Sequence, residues 1–222
     1  RNIINAIDLS SLGLDKIEED EGGFRIGCMA TLHDIETHEG LNKEFQNLFK
    51  EAVRHIVGVQ FRNCATIGGS IFPKLGFSDV LTAFLACDTQ VILYKKGEVP
   101  LREFIYIPTD NDILTHLYVK KDGRKTAYES FRMTETDFPT ITCAMAKTQD
   151  GFETVLGARP KHAEVVVDEV VADAFSSEEV ADYAKRVIGK LQYGSNIRGS
   201  EQYRKQLSKV LIGRCISRLT EE

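Results

Sequence analysis

The sequence predicts an α+β protein in two parts. A mixed α/β part comes first, and a three-stranded antiparallel sheet plus helices follows. Three observations predict this. Short strand-like runs alternate with amphipathic runs up to about residue 120. A charged stretch, Lys120-Lys121-Asp122-Gly123-Arg124-Lys125, then interrupts the pattern with an Asp-Gly turn. Beyond it come three strand-like runs and two well-capped helical runs. The domain boundary is placed in that stretch, giving domains 1–123 and 124–222.

In chain order, residues 3–9 (Ile-Ile-Asn-Ala-Ile-Asp-Leu) read as a strand, and Ser10 to Asp20 as a polar connection. Gly22-Gly23 turns into a second strand over Phe24–Cys28. Thr31, with Asp34 three residues on, starts a short helix with an imperfect capping box. Leu41, Phe45, Leu48, Phe49, Ala52 and Ile56 share one face of an amphipathic helix ended by Gly58. Ser78 and Asp79 open a helix over Val80–Ala86. Thr89–Tyr94 and Ile113–Val119 read as strands rich in β-branched residues. In the second part, strands are expected around 126–132, 141–147 and 152–158, the last two joined by a Gln149-Asp150-Gly151 turn. Ser176 and Glu179 form a capping box for a helix whose apolar face is Val180, Ala184, Val187, Ile188 and Leu191. Ser200 opens a final helix with Tyr203, Leu207, Val210, Leu211 and Arg214 on its stripe, Arg214 snorkelling.

Composition excludes several function classes. Apolar residues make up 42% and charged residues 27%, the balance of a soluble globular protein. A net charge of −5 argues against a polyanion-binding surface, so no nucleic-acid partner is expected. No apolar run is long enough to span a membrane and no signal segment opens the chain, so a cytoplasmic protein is expected. Cys28, Cys64, Cys87, Cys143 and Cys215 are scattered without a C-x-x-C, which reads as free thiols rather than a disulfide scaffold, iron–sulfur cluster or zinc site. The histidines show no H-x-x-x-H spacing, so no metal site is predicted. No Ser/His/Asp or Cys/His constellation stands out, so no catalytic acid, base or nucleophile is assigned. His55 reads as an ordinary residue of the amphipathic helix.

The stretch Phe61-Arg62-Asn63-Cys64-Ala65-Thr66-Ile67-Gly68-Gly69-Ser70-Ile71 is rich in small residues. Gly68 and Gly69 are able to take positive φ. The stretch is therefore either a Gly-Gly turn between strands or a nest of backbone N–H groups that holds a phosphate.

Within it, Arg62-Asn63-Cys64-Ala65-Thr66-Ile67-Gly68-Gly69 resembles the R-N-x-A-T-I-G-G signature of the FAD-binding medium subunits of molybdenum hydroxylases, the xanthine dehydrogenase and carbon monoxide dehydrogenase type. Three further runs resemble that family in order: Arg25-Ile26-Gly27-Cys28 with Thr31, Val155-Leu156-Gly157-Ala158-Arg159-Pro160, and Ile197-Arg198-Gly199-Ser200 with Tyr203-Arg204. The resemblance spans essentially the whole chain. It implies an FAD-binding domain followed by a C-terminal medium-subunit domain, with FAD extended between two subdomains. It also implies that the backbone of Thr66, Ile67, Gly68, Gly69 and Ser70 holds the FAD pyrophosphate. Ile56 would line the cofactor, Asp79 would contact it, and Leu114 and Arg132 match two later FAD-lining positions. The loop Met133 to Asp137 would lie by the isoalloxazine ring, near a docking acceptor. The implied partners are a molybdopterin-binding large subunit and a 2Fe-2S small subunit. Electrons would pass from the iron–sulfur clusters via FAD to NAD or another acceptor.

Three features depart from the family pattern. Ser70 stands where Asn is common. The run Phe72-Pro73-Lys74-Leu75-Gly76-Phe77 differs from the usual one before the aspartate. No A-G-G-T-D-L-like loop precedes Arg1, so the chain is expected to lack the N-terminal glycine-rich FAD subdomain and to bind FAD weakly. An alternative function is a docking or assembly subunit that no longer holds FAD tightly. An unrelated α+β domain with a phosphate nest is a third reading. For Asp79 a helix cap competes with a ligand contact, Ile56 and Leu114 are also read as plain core, and Arg198 and Tyr203 as ties for the last helix.

Overall fold

The computed structural model describes residues 6–108, 111–169 and 175–220. Residues 6–9 are not in a strand, and residues 3–5 of that expected strand lie outside the described residues. Ile7 is 73% exposed, so nothing rewards a ladder there. Within the expected polar connection, Ile17–Glu19 instead forms β1, antiparallel to β2 (Gly23–Gly27), with Ile17 opposite Ile26. Helix α1 (Leu32–Thr37) has a complete capping box: Asp34 Oδ2 accepts from Thr31 N at 2.8 Å, and Thr31 Oγ1 accepts from Asp34 N at 3.1 Å.

The single helix expected over 41–56 is two short ones, α2 (Glu39–Glu44) and α3 (Leu48–Val53). Gln46 and Asn47 between them adopt φ of 45° and 63°, which breaks the helical path. Asn42 replaces the lost helical bonds, its amide donating to Ile35 O, Glu36 O and His38 O and its Oδ1 accepting from Lys50 N. The anticipated face still buries: Leu41, Phe45, Leu48, Phe49 and Ala52 are core, and Ile56 packs on its edge. Gly58 ends no helix. It precedes α4 (Val59–Arg62), and the left-handed residue is Val57, at φ 51°.

Helix α5 (Ile67–Ile71) and helix α6 (Asp79–Leu85) follow, capped by the hydroxyls of Thr66 and Ser78. β3 (Thr89–Leu93) pairs with β4 (Gly97–Pro100), α7 (Leu101–Phe104) follows, and β5 (Leu114–Lys120) inserts between β2 and β3. The sequence pattern did not anticipate β4 or α7. The resulting five-stranded sheet has the order β1-β2-β5-β3-β4, every pair antiparallel.

A second sheet is made of β6 (Lys125–Phe131), β7 (Ile141–Thr148), β8 (Gly151–Gly157) and β9 (Glu164–Asp168) in sequence order, all antiparallel. It has four strands where three were expected. β9 lies at an edge and only Val166 among its residues is buried, although its run of three valines is a strand signal that the sequence reading left unused. Helices α8 (Ser177–Gly189) and α9 (Glu201–Thr220) cover one face of this sheet, joining Cys143, Met145, Phe152 and Leu156 in a second core. Ser176 and Glu179 cap α8 as expected, and Tyr183 is an added buried member of its face.

The face of α9 differs from the expected one. Tyr203 and Val210 are 41% and 50% exposed, and Arg214 reaches out to Glu129. Of the expected stripe, Leu211 is buried and Leu207 packs on the edge of the core, and Arg204, Ser208, Ile212, Cys215, Ile216 and Leu219 are buried beside them. The buried cation on this face is Arg204, whose guanidinium donates to Thr140 O, Gly194 O, Gly199 O and Asn196 Oδ1. Four acceptors satisfy a cation that burial would otherwise penalise, so an arginine can sit on the buried face.

The two sheets separate between Lys120 and Lys125, yet the first core reaches across to Tyr128, Ala144, Val155 and Ala163. Helix α6 is the shared element. All seven of its residues are buried, and Thr82 shares a 2.9 Å hydrogen bond with Thr142 of β7. This places the start of α6 within reach of side chains from the second sheet. Among the described residues no helix is long and apolar enough to cross a membrane.

Candidate functional site

The glycine stretch enters the fold as a helix start pinned to its neighbours. Thr31 and Thr66 form an isolated β-bridge, and Leu32 N donates to Ala65 O at 2.9 Å. Ile67 N donates to Ala30 O at 2.9 Å and Gly68 N to Cys28 O at 2.8 Å. Gly69 N reaches Thr66 Oγ1 at 3.2 Å, and Ser70 N reaches Thr66 O at 3.1 Å. Neither Gly68 nor Gly69 takes a positive φ. The turn between strands and the positive-φ nest are thus both replaced by a five-residue helix whose first amides already have acceptors. Glycine at 68 serves close approach: a Cβ there would sit 2.8 Å from Cys28 Cβ and 2.9 Å from Cys28 O.

The first turn of α5 is a wall with a cavity on each side. On one side is a cleft of about 380 Å3. Ile56, Thr66, Gly69, Ser70, Asp79 and Arg132 line it, together with Leu32, Val57, Phe61, Leu75, Phe77, Val80 and Phe138. On the other side is a cavity of about 280 Å3 lined by Gly68, Leu114, Cys28, Met29, Phe72 and Pro73, which also touches Thr66 and Gly69. The structure therefore gathers six of the nine sequence-predicted residues in one cleft and sets Gly68 and Leu114 behind it. Ile67 lies in neither, since its side chain is 0% exposed in the core. Of the loop 133–137, Thr136 and Asp137 face the cleft. Met133, Thr134 and Glu135 face a neighbouring polar depression of about 330 Å3 that shares Arg132 and His55 with it.

The floor of the cleft is ionic. Ser78, not Asp79, caps α6, which frees the Asp79 carboxylate. Its Oδ1 accepts from Tyr128 Oη at 2.5 Å and from Arg132 Nη2 at 2.6 Å. The Asp79 and Arg132 side chains are only 5% and 6% exposed. Burial pushes the Asp79 carboxyl up to about 6, against the pull of Arg132 and Tyr128 in the other direction. Burial, with Asp79 beside it, likewise pushes the Tyr128 hydroxyl well above its ordinary value, so it stays a donor. Burial, then the Arg54 and Arg132 cations, holds His55 below its ordinary value, which keeps it neutral at neutral pH. Arg132 Nε is enclosed without a hydrogen-bond partner among the described residues, a rare state for a buried donor.

Sequence reasoning missed Tyr128, Phe77 and Phe138. Tyr128 lies in β6 and Arg132 one residue beyond its end, four positions on, a spacing that in an extended chain puts side chains on one face. That signal was present but unused. Phe77 and Phe138 touch at a ring-centroid distance of 4.3 Å although 61 positions separate 77 from 138, and no local pattern predicts the meeting.

The family described as "FAD binding domain in molybdopterin dehydrogenase" matches residues 1–119. The glyceraldehyde dehydrogenase medium chain of Sulfolobus acidocaldarius is 27% identical over 223 residues, covering 92% of this chain and 79% of that one. The uncharacterized protein YgfM of Escherichia coli K12 is 24% identical over 215 residues, covering 93% of this chain and 77% of YgfM. Among solved structures, the carbon monoxide dehydrogenase of Hydrogenophaga pseudoflava has a chain of the same fold. Its TM-score is 0.82 at 22% identity, over 93% of this chain and 78% of that one. With more than half of its length matched by that family, and the motif-bearing helix forming one wall of the cleft, this chain belongs to the FAD-binding domains of the molybdopterin dehydrogenases.

Proposed function

We propose that this chain is the FAD-binding electron-transfer subunit of a molybdenum hydroxylase. It takes electrons from the iron–sulfur clusters of a small subunit, beside a molybdopterin-binding large subunit, and passes them via FAD to an acceptor such as NAD. The observation that carries this reading is the cleft, where Asp79 and Arg132 form a buried polar floor under apolar walls beside the start of α5. A planar ring with a polar edge suits such a slot. The enclosed, unpartnered Arg132 Nε adds a donor for a ligand to engage. Thr66, Gly69 and Ser70 would position the phosphate-bearing part. Ile56 would pack on the ring, and Asp79 and Arg132 would orient its polar edge. FAD, when bound, would supply the chemistry that gathers single electrons from the clusters and passes them on in pairs. The protein's share is to hold and orient the cofactor and keep water from it. We place the complex in the cytoplasm, in keeping with free thiols at every cysteine.

A second reading, a docking subunit that holds FAD weakly, is favoured by one observation. The amides of Ile67, Gly68 and Ser70 are already paired within the fold, which leaves few for a pyrophosphate. Titration of the purified chain with FAD, followed by visible absorbance, separates the two. A saturable shift of the flavin bands, weakened tenfold or more in Arg132→Gln, supports the cofactor site. A chain that ignores FAD leaves the docking reading.

A further inference from the structure

The polar floor of the cleft is buried, but its mouth is a set of exposed apolar side chains: Val57 at 52%, Phe61 at 48%, Leu75 at 41%, Phe77 at 39% and Phe138 at 50%. Two of these cross the opening. Phe77 comes from the loop leading into α6, and Phe138 from the loop between β6 and β7. Their ring centroids are 4.3 Å apart with planes tilted by 59°. The two residues thus join opposite walls of one cleft, one wall from each part of the chain.

Both ends of this contact are fixed. Behind Phe77, Ala158 N donates to Gly76 O at 2.9 Å, tying the loop to the end of β8. Outside Phe138, the Arg198 guanidinium lies 5.1 Å from the ring centroid. Arg198 is itself held by Asp137 at 2.9 Å, and that bond keeps the Asp137 carboxyl below its ordinary value. A cation over an aromatic face attracts it, so Phe138 is braced from the solvent side.

We propose that Phe77 and Phe138 form an aromatic bar across the mouth of the cleft that determines what size of solute reaches a bound flavin ring. The inference rests on the reading of the cleft as the FAD site. A third ring sliding between two others needs about 7 Å, two carbon contacts of roughly 3.5 Å each. The 4.3 Å pair leaves no such slot. Small solutes pass beside the bar, whereas a bulky aromatic solute meets it.

The test compares the wild-type chain with Phe77→Ala, Phe138→Ala and the double variant, each saturated with FAD. Flavin fluorescence quenching is measured with acrylamide as a small quencher and with a bulky nitroxide. We expect the nitroxide quenching constant to rise threefold or more in the single variants and no further in the double variant, since either loss opens the same bar. The acrylamide constant should change by less than twofold. Phe77→Leu and Phe138→Leu, which keep apolar volume, guard against a folding defect and should give intermediate nitroxide constants. Equal nitroxide constants in wild type and alanine variants, with FAD bound in all, overturn the bar and leave the cofactor site standing. A wild-type chain that binds no FAD overturns the cofactor reading and the bar together.

Discussion

Replacing Asp79 by asparagine should make the FAD-free chain more stable, although it removes one half of a buried ion pair. The carboxyl is held at about 6 in the folded chain against an ordinary 3.8, with the Arg132 and Tyr128 interactions already included. Relative to the unfolded chain, the ionised carboxyl therefore costs the folded chain about 3 kcal/mol above pH 6. Because the folded value is the raised one, the contribution to stability is fully present below 3.8 and is lost as pH rises through 6. Asparagine copies the uncharged form, since its Oδ1 can accept from both Tyr128 Oη and Arg132 Nη2. We expect Asp79→Asn to gain up to about 3 kcal/mol above pH 6, or about 6–12 °C in Tm. The gain should shrink toward zero as pH falls to 3.8. Asp79→Ala removes the acceptor as well as the charge, stranding two buried donors, and should lose about 3–5 kcal/mol. Urea unfolding followed by circular dichroism, across that pH range and without FAD, reads all three chains. An Asp79→Asn chain less stable than wild type above pH 6 would refute the reasoning, because the ion pair would then outweigh the cost of burying the carboxylate.

Two further predictions concern the frame around the cleft. Gly68→Ala should cost about 1–3 kcal/mol by urea unfolding, because its methyl would sit 2.8 Å from Cys28 Cβ. Gly69→Ala, whose methyl meets only Thr66 Oγ1 at 3.2 Å in a helical backbone, should stay within about 1 kcal/mol of wild type. Equal costs at the two glycines would remove the close-approach argument. Arg204→Met keeps an apolar stem but takes from Thr140 O and Gly194 O the donor that Arg204 gives them. It should cost about 3 kcal/mol or more, read as a fall in Tm, and a loss below about 1 kcal/mol would show that those carbonyls find other partners.

Much of this molecule was legible in the chain, and the boundary of legibility is physical. Local interactions were readable: the Thr31–Asp34 and Ser176–Glu179 caps, the strand-forming runs of β3, β5, β7 and β8, and many of the apolar residues destined for the core. Four ordered motifs carried the family, because they match as sequence before any folding. The short edge strand β1 was not readable, since three residues with one apolar side chain leave no periodicity, whereas the valine run of β9 was a signal left unused. Nor was the break between α2 and α3, which depends on Asn42 bonding residues on both sides of it. The burial of Arg204 on α9 depended on acceptors in the preceding loop and on Thr140 O, 64 positions away. For the site, the sequence by itself determined which residues stand near FAD-binding motifs. Only the tertiary structure decided that Gly68 is needed for packing, that Leu114 sits behind the wall of α5, and that Asp79 meets Tyr128 and Arg132. Those contacts span 49 and 53 positions, and they exist because α6 is buried between the two sheets. A pattern confined to one segment cannot encode the neighbour that another segment brings.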